Sequence, residues 1–152
     1  MKHYIIDGNN LIGKISELKK IHNSDKQQSR EELVNLLNDY FAGKKIRLSL
    51  HFDGYEKSYL KIVNGKIKYS KNLQADSMIR KEIDDAQSKR LITLITSDSA
   101  LLEYARINGC NIKTSEEFYN EIESSNKVDE EEERIKKLEK EKNEFLKIFG
   151  AE

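Results

Sequence analysis

Apolar positions along the chain recur with two periods, and the alternation between them predicts an α/β layer fold. A short run from His3 to Ile6 reads as a first strand that stops at Asp7-Gly8-Asn9-Asn10, with a helix expected from about Leu11 to Ile21. Ser29 with Glu32 reads as a capping box, and the stripe Leu33, Leu36, Leu37, Tyr40, Phe41 runs to a stop at Gly43. Ile46, Leu48, Leu50 and Phe52 alternate with Arg47, Ser49, His51 and Asp53, a strand with one polar face expected near an edge or cleft. Asn64-Gly65 between Tyr59–Val63 and Lys66–Tyr69 is a local hairpin signal. Further on, the pattern predicts a helix from about Asp76 to Ser88, a buried strand from Leu91 to Thr96, and a helix carrying Leu101, Leu102 and Ala105 that closes at Gly109. Cys110 to Lys113 reads as a short strand, and a capped helix starts near Ser115. From Asp129 a charge run gives way to Ile135, Leu138, Phe145, Leu146 and Phe149 at helical spacing, a C-terminal helix expected to dock its apolar end on the body or on a partner. The expected organisation is a single domain over 1–125, with a mostly parallel central sheet flanked by helices, followed by a charged helical tail over 126–152.

Composition narrows the class without naming a partner. The chain has 152 residues with 27 basic and 27 acidic side chains, long enough for one buried core and too short for two full domains. Residues 1–128 hold 21 basic against 18 acidic side chains and residues 129–152 hold 6 against 9, so a weakly basic body precedes a weakly acidic tail. One cysteine excludes an internal disulfide and a Cys-rich zinc module. No run of about 18 apolar residues exists, and the first strand meets Asp7 too early for a signal peptide, so a cytoplasmic protein without a membrane partner is expected.

The aspartates carry the chemistry. Asp7, Asp53 and Asp98 each follow a hydrophobic strand, and Asp76 opens a helix. In a parallel sheet all strand ends lie on one edge, where ligands bind, so these four acids are expected in one cleft. Clustered carboxylates raise one another's pKa unless a cation neutralises them, and oxygen ligands suit Mg²⁺ or Mn²⁺. Such an ion activates water and offsets phosphate charge, which points to metal-assisted phosphodiester hydrolysis. Each acid also has an ordinary reading: Asp98 and Asp76 as helix caps, and Asp7 as a turn residue.

The stretches Ile5-Ile6-Asp7-Gly8-Asn9-Asn10-Leu11-Ile12-Gly13, Phe52-Asp53-Gly54, Ala75-Asp76-Ser77-Met78-Ile79 and Thr96-Ser97-Asp98 resemble the NYN branch of PIN-like nucleases, especially its bacterial YacP-like members. The likeness continues through Ala105-Arg106-Ile107-Asn108-Gly109-Cys110, Ser115-Glu116-Glu117-Phe118 and Phe145 to Gly150, and so covers nearly the whole chain. It implies a PIN-like, Rossmannoid fold and a divalent-metal-dependent endoribonuclease acting on single-stranded RNA. It further implies Asp7 as the central metal ligand with Asn10 beside it, Asp76 and Asp98 completing the metal site directly or through water, and Asp53 at the same edge.

Around this set, Lys14, Lys57, Arg80 and Lys81 are candidate phosphate contacts, and Ser97 could bond a phosphate or a metal-bound water, or simply cap the following helix. Tyr55, Tyr59 and Tyr69 could stack unpaired bases or pack on the sheet. His51 reads as a packed or solvated histidine, Asn9 as a turn residue and Cys110 as a buried apolar one. A haloacid-type phosphatase would need an acid at position 9, which is Asn9, and neither GxxxxGK[ST] nor GxGxxG occurs. The rival to the nuclease is a noncatalytic RNA- or ribosome-binding adaptor on the same fold. Whether the tail helix folds back or pairs with a second chain as a homodimer stays open in the sequence.

Overall fold

The computed structural model describes residues 1–148. Five strands, β1 (Lys2–Asp7), β2 (Ile46–Phe52), β3 (Gly65–Tyr69), β4 (Ile92–Ile95) and β5 (Asn111–Lys113), form one sheet in the order β3-β2-β1-β4-β5. Every neighbouring pair is parallel. The helices are α1 (Gly8–Lys14), α2 (Ser16–Ser24), α3 (Lys26–Phe41), α4 (Ala75–Asp85), α5 (Ser99–Ile107) and α6 (Ser115–Ile148). Met1–Tyr119 is one compact unit, and a second begins at Asn120.

The central strand β1 is apolar on both faces because helices cover both. On one side Ile5 joins Ile79 and Ile83 of α4, Leu94 of β4 and Leu101 of α5 in a cluster with almost no exposed surface. An aromatic group of Tyr4, Tyr40, Phe41 and Phe118 lies elsewhere in this unit, with Tyr4 to Phe41 at 5.0 Å and Phe41 to Phe118 at 6.0 Å between ring centroids. Each fully buried Ile, Leu or Phe contributes about 1.5–3 kcal/mol by leaving water.

Several local expectations are corrected. There is no hairpin at Asn64-Gly65: Tyr59–Val63 is not a strand, and β3 runs parallel to β2 with Leu48 opposite Gly65. The loop is tied back to α3 instead, with Asn38 bonding Lys61 O and Val63 N, and Asn64 Nδ2 donating to Phe41 O. Gly65 answers to close approach, since a Cβ there would lie 1.7 Å from the Leu48 carbonyl oxygen. Ser29 caps nothing: α3 begins one turn earlier, where Asp25 accepts from Gln28 N at 3.1 Å. The helix expected over 11–21 is two helices broken at Ile15, whose backbone is extended. The polar face of β2, as expected, lines a cleft: Arg47 is exposed there, and Ser49 and His51 are buried against Glu82 of α4. Finally, the helix expected from Ser115 and the helical tail expected over 126–152 are one continuous α6 from Ser115 to Ile148, in a stretch with neither Gly nor Pro to interrupt it. Its Ile135, Leu138, Phe145 and Leu146 are exposed, while Phe149 and Gly150 lie outside the described residues.

Candidate active site

Because β1, β2 and β4 are parallel, their carboxyl ends share one edge, and β1 sits where the strand order reverses. Asp7 ends β1, Asp53 follows β2, and Thr96-Ser97-Asp98 links β4 to α5. The chain can turn into α1 immediately after Asp7 because residue 8 is glycine: a Cβ on Gly8 would lie 2.6 Å from the His51 carbonyl oxygen.

Asp7 is the focus of this edge. Its Oδ2 accepts from the Thr96 hydroxyl at 3.0 Å. Burial pushes its carboxyl above the usual range and the charge of Asp53 adds to the rise, while the Thr96 hydroxyl, the Asn10 backbone N–H and His51 act in the opposite direction. His51 is Asp7's register partner on β2, so both side chains leave the same face of the sheet. Thr96 is a hub, because its hydroxyl oxygen also accepts from Asp98 N at 3.1 Å.

The two asparagines brace the edge. Asn9 Oδ1 accepts from Asp53 N at 2.9 Å, and Asn10 Oδ1 accepts from both Ser97 N and the Ser115 hydroxyl at 2.8 Å. Asn9 therefore fixes the end of β2, more than a turn residue would, and Asn10 joins the start of α1 to the β4–α5 link and the start of α6. Ser97 Oγ donates to Glu116 Oε1 and accepts from Ser115 N, so its hydroxyl already serves the protein. Arg30, which the sequence did not single out, holds Asp53 from below. Its guanidinium donates to the carbonyls of Asp53 at 2.6 Å and Tyr55 at 2.9 Å while lying over the Phe52 and Tyr69 rings.

The remaining acids are differently placed. Asp53 Oδ1 accepts from Ala75 N at the start of α4, beside Asp76. Asp76 bonds Arg80 Nε at 2.7 Å, and that guanidinium lies over the Tyr104 ring. Asp98 is the N-cap of α5, accepting from Leu101 N at 3.0 Å. Topology thus brings the four acids to one edge, electrostatics couples Asp7 to Asp53, and Thr96 links Asp7 to Asp98. Among the described residues, no group of three or more His, Cys, Asp or Glu is arranged to hold a metal ion. Asp7 and Asp53, coupled electrostatically, offer the carboxylate oxygens that suit a hard divalent ion, which is commonly held by one or two carboxylates and keeps several waters.

Of the candidate phosphate contacts, Lys14 and Lys57 are exposed, and Arg80 is engaged with Asp76. Lys81 pairs with Asp85 and faces a different cleft, of about 490 Å³, lined also by Arg47, Lys66, Lys68 and Glu82. Tyr55 and Tyr59 are exposed, whereas Tyr69 packs on Phe52 with ring centroids 6.0 Å apart. Cys110 is buried in the apolar cluster, which pushes its thiol pKa up.

The floor of that second cleft is a polar knot. Glu82 bonds His51 Nε2 at 2.7 Å, the Ser49 hydroxyl at 2.5 Å and Lys68 Nζ at 3.0 Å, and lies 3.1 Å from His3 Nε2. Although burial alone would raise it, the bonds from His3, His51 and Ser49 hold the Glu82 carboxyl far below the usual carboxylate range. The signal was in the sequence: alternating polar residues inside an apolar strand, and a glutamate set into the Ile79–Ile83 stripe of α4.

The sequence matches the YacP-like NYN domain over residues 4–149. The fold is similar to that of Rae1 (YacP) from Bacillus subtilis, with a TM-score of 0.66 at 22% identity over 99% of this chain and 89% of that one. A W164L mutant of the same protein gives a TM-score of 0.69 at 21% identity, over 89% of this chain and 83% of that one. No curated protein matches in sequence. The parallel sheet with its acid-bearing central edge is the nuclease-type fold of that domain, and the chain belongs to the YacP-like NYN family.

Proposed function

We propose that this protein is a divalent-metal-dependent endoribonuclease that cuts single-stranded RNA at the edge marked by Asp7. The observation that carries the reading is a half-buried Asp7, its pKa raised, beside the charge of Asp53 at the reversal point of a parallel sheet. Such a pair is costly unless a cation joins it. Asp7 and Asp53 would hold Mg²⁺ or Mn²⁺, with Asp76 and Asp98 reaching it through water. The ion would supply a more acidic bound water and neutralise charge on the phosphate. Thr96 keeps the Asp7 carboxylate in one orientation through its hydroxyl, and Asn10 positions the Ser97 backbone beside it. Lys14 and Lys57 would meet RNA phosphates, and the exposed Tyr55 and Tyr59 would stack unpaired bases.

A noncatalytic RNA- or ribosome-binding adaptor is favoured by one feature, the engagement of Asp76 by Arg80 and of Asp98 by the α5 cap. A labelled single-stranded RNA incubated with Mn²⁺ or Mg²⁺ separates the two. The nuclease cleaves it internally, stops in excess chelator, and is inactive as Asp7→Asn. Intact RNA across a panel of sequences, bound with ordinary salt dependence, would establish the adaptor instead.

A further inference from the structure

In the exposed part of α6, Val128, Ile135, Leu138 and Phe145 recur with spacings of seven, three and seven, the a and d positions of a heptad face. Glu131 and Lys142 fill the two remaining positions of the seam. The four apolar side chains are between 47% and 58% exposed, an unusual cost for a line of large hydrophobes on one helix. We propose that this face is the interface of a homodimer in which α6 pairs antiparallel with α6 of a second copy.

The occupant follows from the order of residues in the seam. With a two-fold axis passing between positions 136 and 137, Val128 meets Phe145 of the partner subunit, Ile135 meets Leu138 of the partner subunit, and Glu131 meets Lys142 of the partner subunit. Every pairing occurs twice, and each sets an a position against a d position. The face is therefore self-complementary, as a two-fold interface requires. A parallel in-register pair would instead set glutamate against glutamate at 131 and lysine against lysine at 142, burying like charges in the seam. Beside the seam, Arg134 meets Glu141 of the partner subunit, while Glu132 meets Glu139 of the partner subunit at outer positions where water screens the repulsion. Within one chain Glu131 bonds Arg134 Nη2 at 2.6 Å, an exposed contact that is easily exchanged for a lysine across the interface.

Sedimentation equilibrium of the full chain tests this. The expected species at roughly 100 µM chain has twice the 17.7 kDa chain mass. Leu138→Glu should return it to monomer. Lys142→Glu, which sets glutamate against glutamate twice, should weaken association at least about tenfold. The double change Glu131→Lys with Lys142→Glu should restore it, a rescue that only the antiparallel order allows. A monomer at that concentration, a dimer indifferent to Leu138→Glu, or a double variant as weak as the single one would each overturn the proposal.

Discussion

Replacing Glu82 by alanine removes the acceptor shared by His3, Ser49, His51 and Lys68. The Glu82 side chain is only 12% exposed and that of His51 only 2%, so the abandoned groups are not readily resolvated. Removing one partner from a buried charged network costs about 3–5 kcal/mol. With a urea dependence of roughly 2 kcal/mol per molar, the unfolding midpoint at pH 7 should fall by about 1.5–2.5 M without a change of slope. The pH dependence supplies an independent check. The folded-state pKa of Glu82 lies below its ordinary value of 4.5, so its stabilisation is complete above that value and is lost as pH falls toward the folded-state one. As pH falls below 4.5 the wild type should lose stability from this group, a loss that Glu82→Ala cannot show. The gap between the two proteins therefore narrows in acid. Equal midpoints at pH 7, or a gap that widens on acidification, would refute the assignment of Glu82 as the ionised centre of the knot.

Four further outcomes are expected. In RNA cleavage assays Asp7→Asn should abolish activity, while Cys110→Ser, far from the acids in the α4–α5 cluster, should leave the rate unchanged. Since burial and Asp53 raise the Asp7 pKa, the rate at low metal should fall as pH is lowered from above the ordinary value of 3.8, and added metal should shift that limb to lower pH by competing with the proton; a limb that ignores metal concentration would contradict binding at Asp7. Asp98→Asn keeps a capping side chain, so stability should change by less than about 0.5 kcal/mol while cleavage falls roughly 10–100-fold; unchanged cleavage would make Asp98 a cap alone. Thr96→Val removes the hydroxyl that orients Asp7 and should weaken Mn²⁺ binding, read by titration, by a comparable factor.

The sheet and its site were legible to different depths. Strands β1, β2 and β4 stand out because apolar runs end at Asp7, Asp53 and Asp98, and strand polarity then places those acids together without any knowledge of contacts. The Asn64-Gly65 signal misled because turn chemistry is local, whereas the partner of β3 is chosen by the backbone of Leu48 and by the anchoring of Asn38 and Asn64 on α3. Arg30 and Thr96 were illegible for a related reason. Arg30 lies in no motif, Thr96 only opens the stretch that was read for Asp98, and each acquires its role only when a segment at least 20 residues away supplies a carbonyl or carboxylate. Ser29 looked like a cap because Glu32 follows it, but Asp25 offered the same chemistry one turn earlier.

The two carboxylate centres on the α4 face of the sheet are made of similar residues and are opposite in electrostatic state. Around Glu82, two histidines, a serine and a lysine more than compensate for burial, so the charge is matched and the cluster needs nothing further. At Asp7, one threonine hydroxyl, an amide N–H and a more distant histidine fall short of what burial and Asp53 impose, and the pKa rises. His51 belongs to both centres, bonded to Glu82 while its field reaches Asp7, and it therefore ties the orientation of the matched cluster to the charge of the unmatched one. On the proposed reading, a cation would be drawn to the second centre and not to the first. The same reasoning ranks the other acids: Asp76 faces Arg80 and Asp98 faces a helix N-terminus, so each already has a positive counterpart and would approach an ion through water more readily than by direct ligation.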